Sequence, residues 1–380
     1  MPGFIAKLRS LPQLFHDIFD DFRTGFRSPA RLIDCGESVL AVLLAIVFSH
    51  LLHVQYVGWA AFSGYMVMRG HVLDSLQRGG LRVAGTVLGA LLAVQVEKLF
   101  PDMVLSSLIL AAMTGVTLYN ALLFRHSYAW LFMGITFAMV VMDGIQNGGN
   151  FQAYALSRIE EVAVGTFACI LISALSTWLV RPRFALHLRA APGKPLSKSE
   201  KIYWHKSAFW HAVQAAIAMA FLPFIWQRFD IVSVSQTCIT IMAVMMVPLS
   251  VFSGPKHPTT TKIIHRFIGC LSGALLGFVA LIVSHQHIWL LTLLLAAGVV
   301  IGRIIENGAL KIKYIGTQFT LALLVILVPD HYAAISVDPG IERLLGILFG
   351  IVILEPVRHV PWLYHKIAAL FDKRSGENSA

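Results

Sequence analysis

Charge is what this chain has least of. Asp, Glu, Lys and Arg make up 13% of its 380 residues, against about 25% in an ordinary soluble domain. A chain so poor in charge cannot clothe itself in a hydrated surface. Several of its apolar runs exceed the ~18 residues that cross a bilayer as a helix, so a soluble globular domain is excluded. Cysteine is nearly as scarce. The four present, Cys35, Cys169, Cys238 and Cys270, are scattered without a CxxC pair, which excludes a disulfide frame or a thiolate metal centre. His285 and His287 lie in one loop with nothing to complete a metal site, so neither a metal nor a cofactor is expected. HExxH, GxSxG, a Walker lysine loop and the kinase motifs are all missing, and no enzyme is expected. No cleavable leader is visible, since the first apolar run begins near Val39.

What is present is hydrophobicity, at 57% of residues. The pattern predicts an all-α polytopic membrane protein with helices at about 36–52, 55–70, 80–98, 103–124, 128–145 and 158–180, then 207–226, 231–252, 263–284, 288–305, 314–328 and 341–355. The second of these is short and holds Gly58, Ser63 and Gly64, so an irregular helix is expected there. An amphipathic segment, 1–35, precedes the first block and is expected on the cytoplasmic face. A polar linker, 181–206, separates the six-helix blocks 36–180 and 207–355, and a basic cytoplasmic tail, 356–380, carries Trp362 and Tyr364 as interfacial anchors. With the amino terminus in the cytoplasm and twelve spans alternating, all but four of the 30 Lys and Arg residues fall on the cytoplasmic side. The exceptions are Lys98, Arg158, Arg228 and Arg343. This asymmetry is the positive-inside rule; the net charge of +10 is thereby accounted for without a nucleic-acid partner.

The two blocks repeat each other. Arg82, Gly85 and Gly89 recur as Arg266, Gly269 and Gly273, each set followed by Ala-Leu-Leu. Glycines four apart share a helix face and allow close helix approach in lipid. Arg158 and Gly165 recur as Arg343 and Gly350, and Tyr128 as Tyr314. Six helices per block give both copies the same orientation, related by a pseudo-two-fold axis along the membrane normal.

Ionisable groups in lipid are costly and mark candidate sites. Arg82 and Arg266 are expected at cytoplasmic helix starts, where they either snorkel to lipid phosphates or flank an anion path. Arg158 and Arg343 are expected at the outer ends of the sixth and twelfth helices. Glu160 and Glu161 stand beside the first and Glu342 beside the second, as ion pairs or gates. Arg303 lies in an apolar stretch with Glu306 three residues on; the first copy has Asn120 near that position. These carboxylates, with Asp143 and Asp330, are the candidates for proton coupling. Trp59, Phe62, Tyr65 and Phe137 could line a path for an aromatic ring.

The glycine-rich third helix behind an arginine, its repeat, and the arginine seven residues before a glycine in helices six and twelve resemble the fusaric acid resistance and aromatic acid exporter family of bacterial inner-membrane proteins. More distantly, the layout is similar to the plant aluminium-activated malate transporters. The resemblance covers roughly 36–180 and 207–355. It implies export of amphipathic organic anions such as aromatic carboxylates, from the lipid bilayer of the inner membrane, along a path near the axis between blocks. It keeps a periplasmic adaptor protein and a homo-oligomer as candidate partners. Familiar members carry a large soluble domain between the blocks, which this chain replaces with the short linker. Three readings follow: a proton-driven exporter, a passive organic-anion channel, and a non-transporting membrane scaffold.

Overall fold

The computed structural model describes residues 20, 22–100, 102–148, 151–184, 205–229, 233–247, 258–285, 287–308, 310, 312–328 and 338–377, with side chains excluded at 258 and from 360 onward. The amphipathic segment before residue 20, most of the linker, Asp330, Trp362 and Tyr364 lie outside the described residues or side chains. The described chain is helical, with no strand among these residues.

Among the described residues twelve α-helices follow one another: α1 (Pro29–Leu51), α2 (Val57–Val67), α3 (Val72–Leu99), α4 (Met103–Leu123), α5 (Ser127–Asn147), α6 (Phe151–Leu179), α7 (Lys206–Phe229), α8 (Val234–Met245), α9 (Pro258–Ser284), α10 (Ile288–Glu306), α11 (Lys313–Leu327) and α12 (Asp338–Glu377). Each expected segment lies on one of them. Eight are long and apolar enough to cross a membrane. The ends follow local chemistry. Pro29 opens α1 at a position where its missing N–H costs nothing. The Asp102 carboxylate caps α4 by accepting from the Leu105 N–H at 3.0 Å. Gly148, at φ +63°, ends α5 in the left-handed conformation that glycine adopts without penalty.

Helices α3 and α9 begin five to eight residues earlier than hydropathy suggests. Their first turns are polar, with Asp74 near the positive end of α3 and Pro258 opening α9. Those turns are good helix but poor membrane, and a hydropathy pattern reads only the latter. Helix α12 likewise runs on to Glu377, past the expected end near 355. Helices α2 and α8 are short, 11 and 12 residues. At 1.5 Å per residue each is about 17 Å long, roughly half the ~30 Å hydrocarbon core.

The chain forms two compact units. The first holds Met1–Thr86, Leu156–Tyr203 and Thr260–Leu344; the second holds Val87–Ala155, Trp204–Thr259 and Leu345–Ala380. In the first unit α1 packs on α2 and α10, α10 on α11, and α11 on α2. Its core joins Val42, Phe62 and Tyr65 to Leu295, Leu323 and Leu324. In the second unit α4 packs on α7 and α5, and α8 on α5 and α7. Neither unit is one half of the sequence. The first takes helices one, two and six of the first half with three, four and five of the second; the second unit takes the complementary set, the boundaries falling inside helices.

Glycines set the closest approaches. A methyl group at Gly89 would meet the Met133 carbonyl of α5, and one at Gly273 the Phe319 carbonyl of α11; at Gly269 it would lie 2.6 Å from the Ile315 oxygen. Gly85 is buried on the same helix as Gly89. The third helix of each half thus lies backbone to backbone on the fifth.

Candidate functional site

Four buried arginines of the first unit gather on α2. Trp59, Phe62 and Tyr65 are three residues apart, so their rings descend in one stripe. The Trp59 and Phe62 ring centroids are 5.2 Å apart. Arginines from four other helices lie over these rings. Arg158 of α6 is 4.3 Å from the Trp59 ring, Arg82 of α3 and Arg343 of α12 are 5.5 and 5.9 Å from Phe62, and Arg303 of α10 is 5.4 Å from Tyr65. A fifth, Arg266 of α9, joins through Gln318 of α11. The Gln318 Oε1 accepts from Arg266 Nη1 at 2.9 Å and from Arg343 Nη2 at 3.5 Å. Arg266 also donates to the Tyr314 hydroxyl at 3.4 Å, and the Lys262 ammonium sits 5.1 Å from that ring. Arg82 donates to the Ser63 hydroxyl at 3.1 Å.

These guanidiniums are 1% (Arg82, Arg343), 2% (Arg266, Arg303) and 5% (Arg158) exposed. Burial this complete rules out snorkelling to headgroups. Aromatic faces offset part of the desolvation, about 2 kcal/mol each where water is excluded, and the weakly hydrated, planar guanidinium is the cation best suited to stacking.

The placement departs from the sequence expectation. Arg82 lies ten residues into α3, about 15 Å from its start at 1.5 Å per residue, rather than at a helix mouth. Arg82 and Arg343, expected near opposite membrane faces, share the Phe62 ring. The extra amino-terminal turns of α3 and the shortness of α2 bring them to one level.

The carboxylates divide in two. Glu161 is buried and ion-paired with Arg158. Glu306 meets Arg303 at 3.2 Å, Arg69 at 3.7 Å and the Tyr65 hydroxyl at 2.7 Å. Glu160 and Glu342 are exposed, away from this buried set. By the repeat, the position of Glu161 is held in the second half by Gly346, where a methyl group would press on Gln236 and the Ser233 carbonyl. Arg343 therefore lacks the acid three residues on that Arg158 has. Asp143, in the second unit, accepts from the Asn147 amide at 2.7 Å. Phe137 is buried in that unit as well, apart from the three rings of α2. Among the described residues no group of three His, Cys, Asp or Glu could hold a metal ion.

Where α2 stops short, its last carbonyls need donors, because lipid supplies none. Arg78 Nε donates to the Met66 oxygen at 3.0 Å, and Arg69 Nη1 and Arg303 Nη2 both donate to the Met68 oxygen at 2.8 Å. Cations at a helix carboxyl end also oppose its dipole. In the second unit, the end of α8 is met by a histidine: His211 Nε2 donates to the Met245 oxygen at 2.8 Å. Beside Gly70, three residues past α2, Arg181 holds two acids of α1, Glu37 at 2.9 and 2.8 Å and Asp34 at 2.7 Å. Burial pulls the Arg181 pKa down, but its bonds and attraction to Glu37 and Asp34 outweigh this and hold it above its ordinary value.

Gln318, Arg69 and the Asp34–Glu37–Arg181 cluster escaped the sequence reading, and Ser63 entered it only as a sign of an irregular helix. Gln318 and Glu37 did carry a signal: each is a polar residue within an apolar helix, where polarity needs a reason.

Apolar helices of membrane-crossing length, with arginines buried among them, mark a multi-pass membrane protein. The chain belongs to the fusaric acid resistance protein family: residues 37–194 match the Fusaric acid resistance protein family itself, and 249–354 match a family described as Fusaric acid resistance protein-like. No curated protein and no solved structure matches the chain. Its class is a membrane transporter for organic compounds.

Proposed function

We propose that this chain exports amphipathic organic anions, aromatic carboxylic acids foremost, across the bacterial inner membrane, driven by protons. The observation that carries this is the stripe of Trp59, Phe62 and Tyr65 with buried arginines stacked on it. Such a surface offers an aryl ring a flat apolar face and offers a carboxylate a bidentate cation. Arg82, Arg158, Arg266, Arg303 and Arg343 line the path in this reading.

Glu161 and Glu306 supply the coupling. Each now occupies an arginine. A proton on either carboxyl releases that arginine for a substrate carboxylate, so proton and anion compete for one site in turn. In this reading twelve membrane segments, α2 and α8 helical over only part of the core, form two like-oriented six-helix repeats with both termini cytoplasmic. The complementary helix sets of the two units and the matched backbone contacts of Gly89 and Gly273 support that arrangement. Half-length helices such as α2 and α8 suit a site near the bilayer midplane, as in other transporters. No covalent chemistry is needed. A periplasmic adaptor and self-association remain compatible with this layout.

The test is a toxicity panel on a deletion strain, using fusaric acid and benzoate. The wild-type gene should restore resistance. Arg82→Ala and Arg266→Ala, at matched membrane levels, should not. Full resistance with both variants would remove these arginines from the path. Reconstituted protein separates exporter from channel: uphill benzoate movement driven by a pH gradient excludes passive conduction.

A further inference from the structure

Glu97 stands near the carboxyl end of α3, in the second unit, and is half-buried there. Its carboxyl lies against the backbone of α5: a methyl group at Gly144 would come within 2.6 Å of Glu97 Oε2. Oε1 is buried and has no hydrogen-bond partner among the described residues. Ser106 of α4 is in hydrogen-bond reach of the same carboxyl. The Ser106 proton, however, goes to the Phe100 carbonyl at 2.8 Å, so the hydroxyl meets Glu97 as an acceptor. The charged groups nearby do not neutralise the acid. Among the described residues no cation acts on it. Lys98, the next residue, is exposed and stands about 100° further round the helix. Asp143, beside Gly144 on α5, accepts from Asn147, and Asp102 caps α4; both are acids.

An ionised carboxylate with a buried, unpaired oxygen is costly, and a proton removes that cost. The proton also supplies the donor that the Ser106 oxygen can accept. Packing alone does not call for an acid here. Counted along the two halves from Arg82 and Arg266, the place of Glu97 is taken by Leu281, half-buried on α9. We infer that Glu97 is a proton-binding residue: the neutral acid seats the end of α3 on Gly144 of α5, and the ionised form draws that end out toward water. Its use rests on the proposed function. In a proton-driven exporter with Lys98 on the outer side, Glu97 takes up the proton from outside as the anion leaves. The step is a proton transfer alone. A hydronium ion gives its proton to the carboxylate, the new O–H donates to Ser106 Oγ, and release reverses this. About two turns earlier Gly89 lies on the Met133 backbone, so only the last turns of α3 need move.

Infrared spectroscopy of the purified full-length chain in nanodiscs reads the C=O stretch of a protonated carboxyl directly. The wild type should show a component that grows as the pH falls and that is missing from Glu97→Gln. Identical titrations of the two proteins, or loss of the component in Asp143→Asn instead, would overturn the assignment. Glu97→Leu, which copies the other half, should melt at or above the wild-type temperature, as apolar replacements of buried charged groups often do. A sharp fall would make the acid a structural element and overturn the inference. In proteoliposomes a pH gradient should drive uphill benzoate movement by the wild type, and Glu97→Gln should lose that dependence on the gradient. A full response in the variant would again overturn it. A wild-type protein that moves neither benzoate nor fusaric acid would overturn the proposed function, while the infrared titration would still decide whether Glu97 takes the proton.

Discussion

Single residues in this fold are fixed by what lipid cannot provide. Arg181 is the clearest case. It holds Glu37, which is 3% exposed, and Asp34 beside it. Removing one member of a buried ion pair costs about 3–5 kcal/mol, because the charge left behind has nowhere to go. Arg181→Ala should therefore lower the melting temperature of the purified protein sharply, and adding Glu37→Gln should recover part of the loss. Melting of Arg181→Ala at the wild-type temperature would show the cluster to be dispensable. The five arginines were legible as residues, since each is a charge in or beside an apolar run. Their convergence was not. Arg82 and Arg343 are 261 positions apart, and only the fold brings both to Phe62. Gln318 was passed over because an amide adds nothing to a count of charges.

Helices were the most readable level. Each expected apolar segment lies on a helix among the described residues, but α3, α6 and α9 start earlier, α12 runs on, and α2 and α8 are much shorter than expected. The glycine spacing was readable too, but not which glycine touches what. Gly273 and Gly80 make opposite predictions. A methyl group at Gly273 runs into the Phe319 backbone, whereas at Gly80 nothing lies within 4 Å. Overpacking against a backbone that cannot yield costs about 1–3 kcal/mol, while alanine in place of glycine in an open helix gains up to about 1 kcal/mol. Gly273→Ala should lower membrane abundance and melting temperature, and Gly80→Ala should leave both unchanged or slightly raised. A harmless Gly273→Ala would mean that α9 and α11 can part without penalty.

At the scale of the whole molecule, the sequence announces two similar halves, and the contacts deal their helices into two mixed units. Repeat spacing could not foretell this, because sequence similarity records ancestry and says nothing of which surfaces meet. Helix α1 packs on α10, α2 on α11, α4 on α7 and α5 on α8, so these four early helices each meet a late one. Expressed alone, residues 1–205 should be degraded; coexpressed with 206–380, they should accumulate and restore fusaric acid resistance. Stable accumulation of the first fragment by itself would contradict this. During synthesis, then, the leading six helices must wait in the bilayer half-clothed while the ribosome finishes the rest. The short connector between the halves keeps their future neighbours within reach during that interval, and the cell's membrane proteases are given a window that closes only when the last helix arrives.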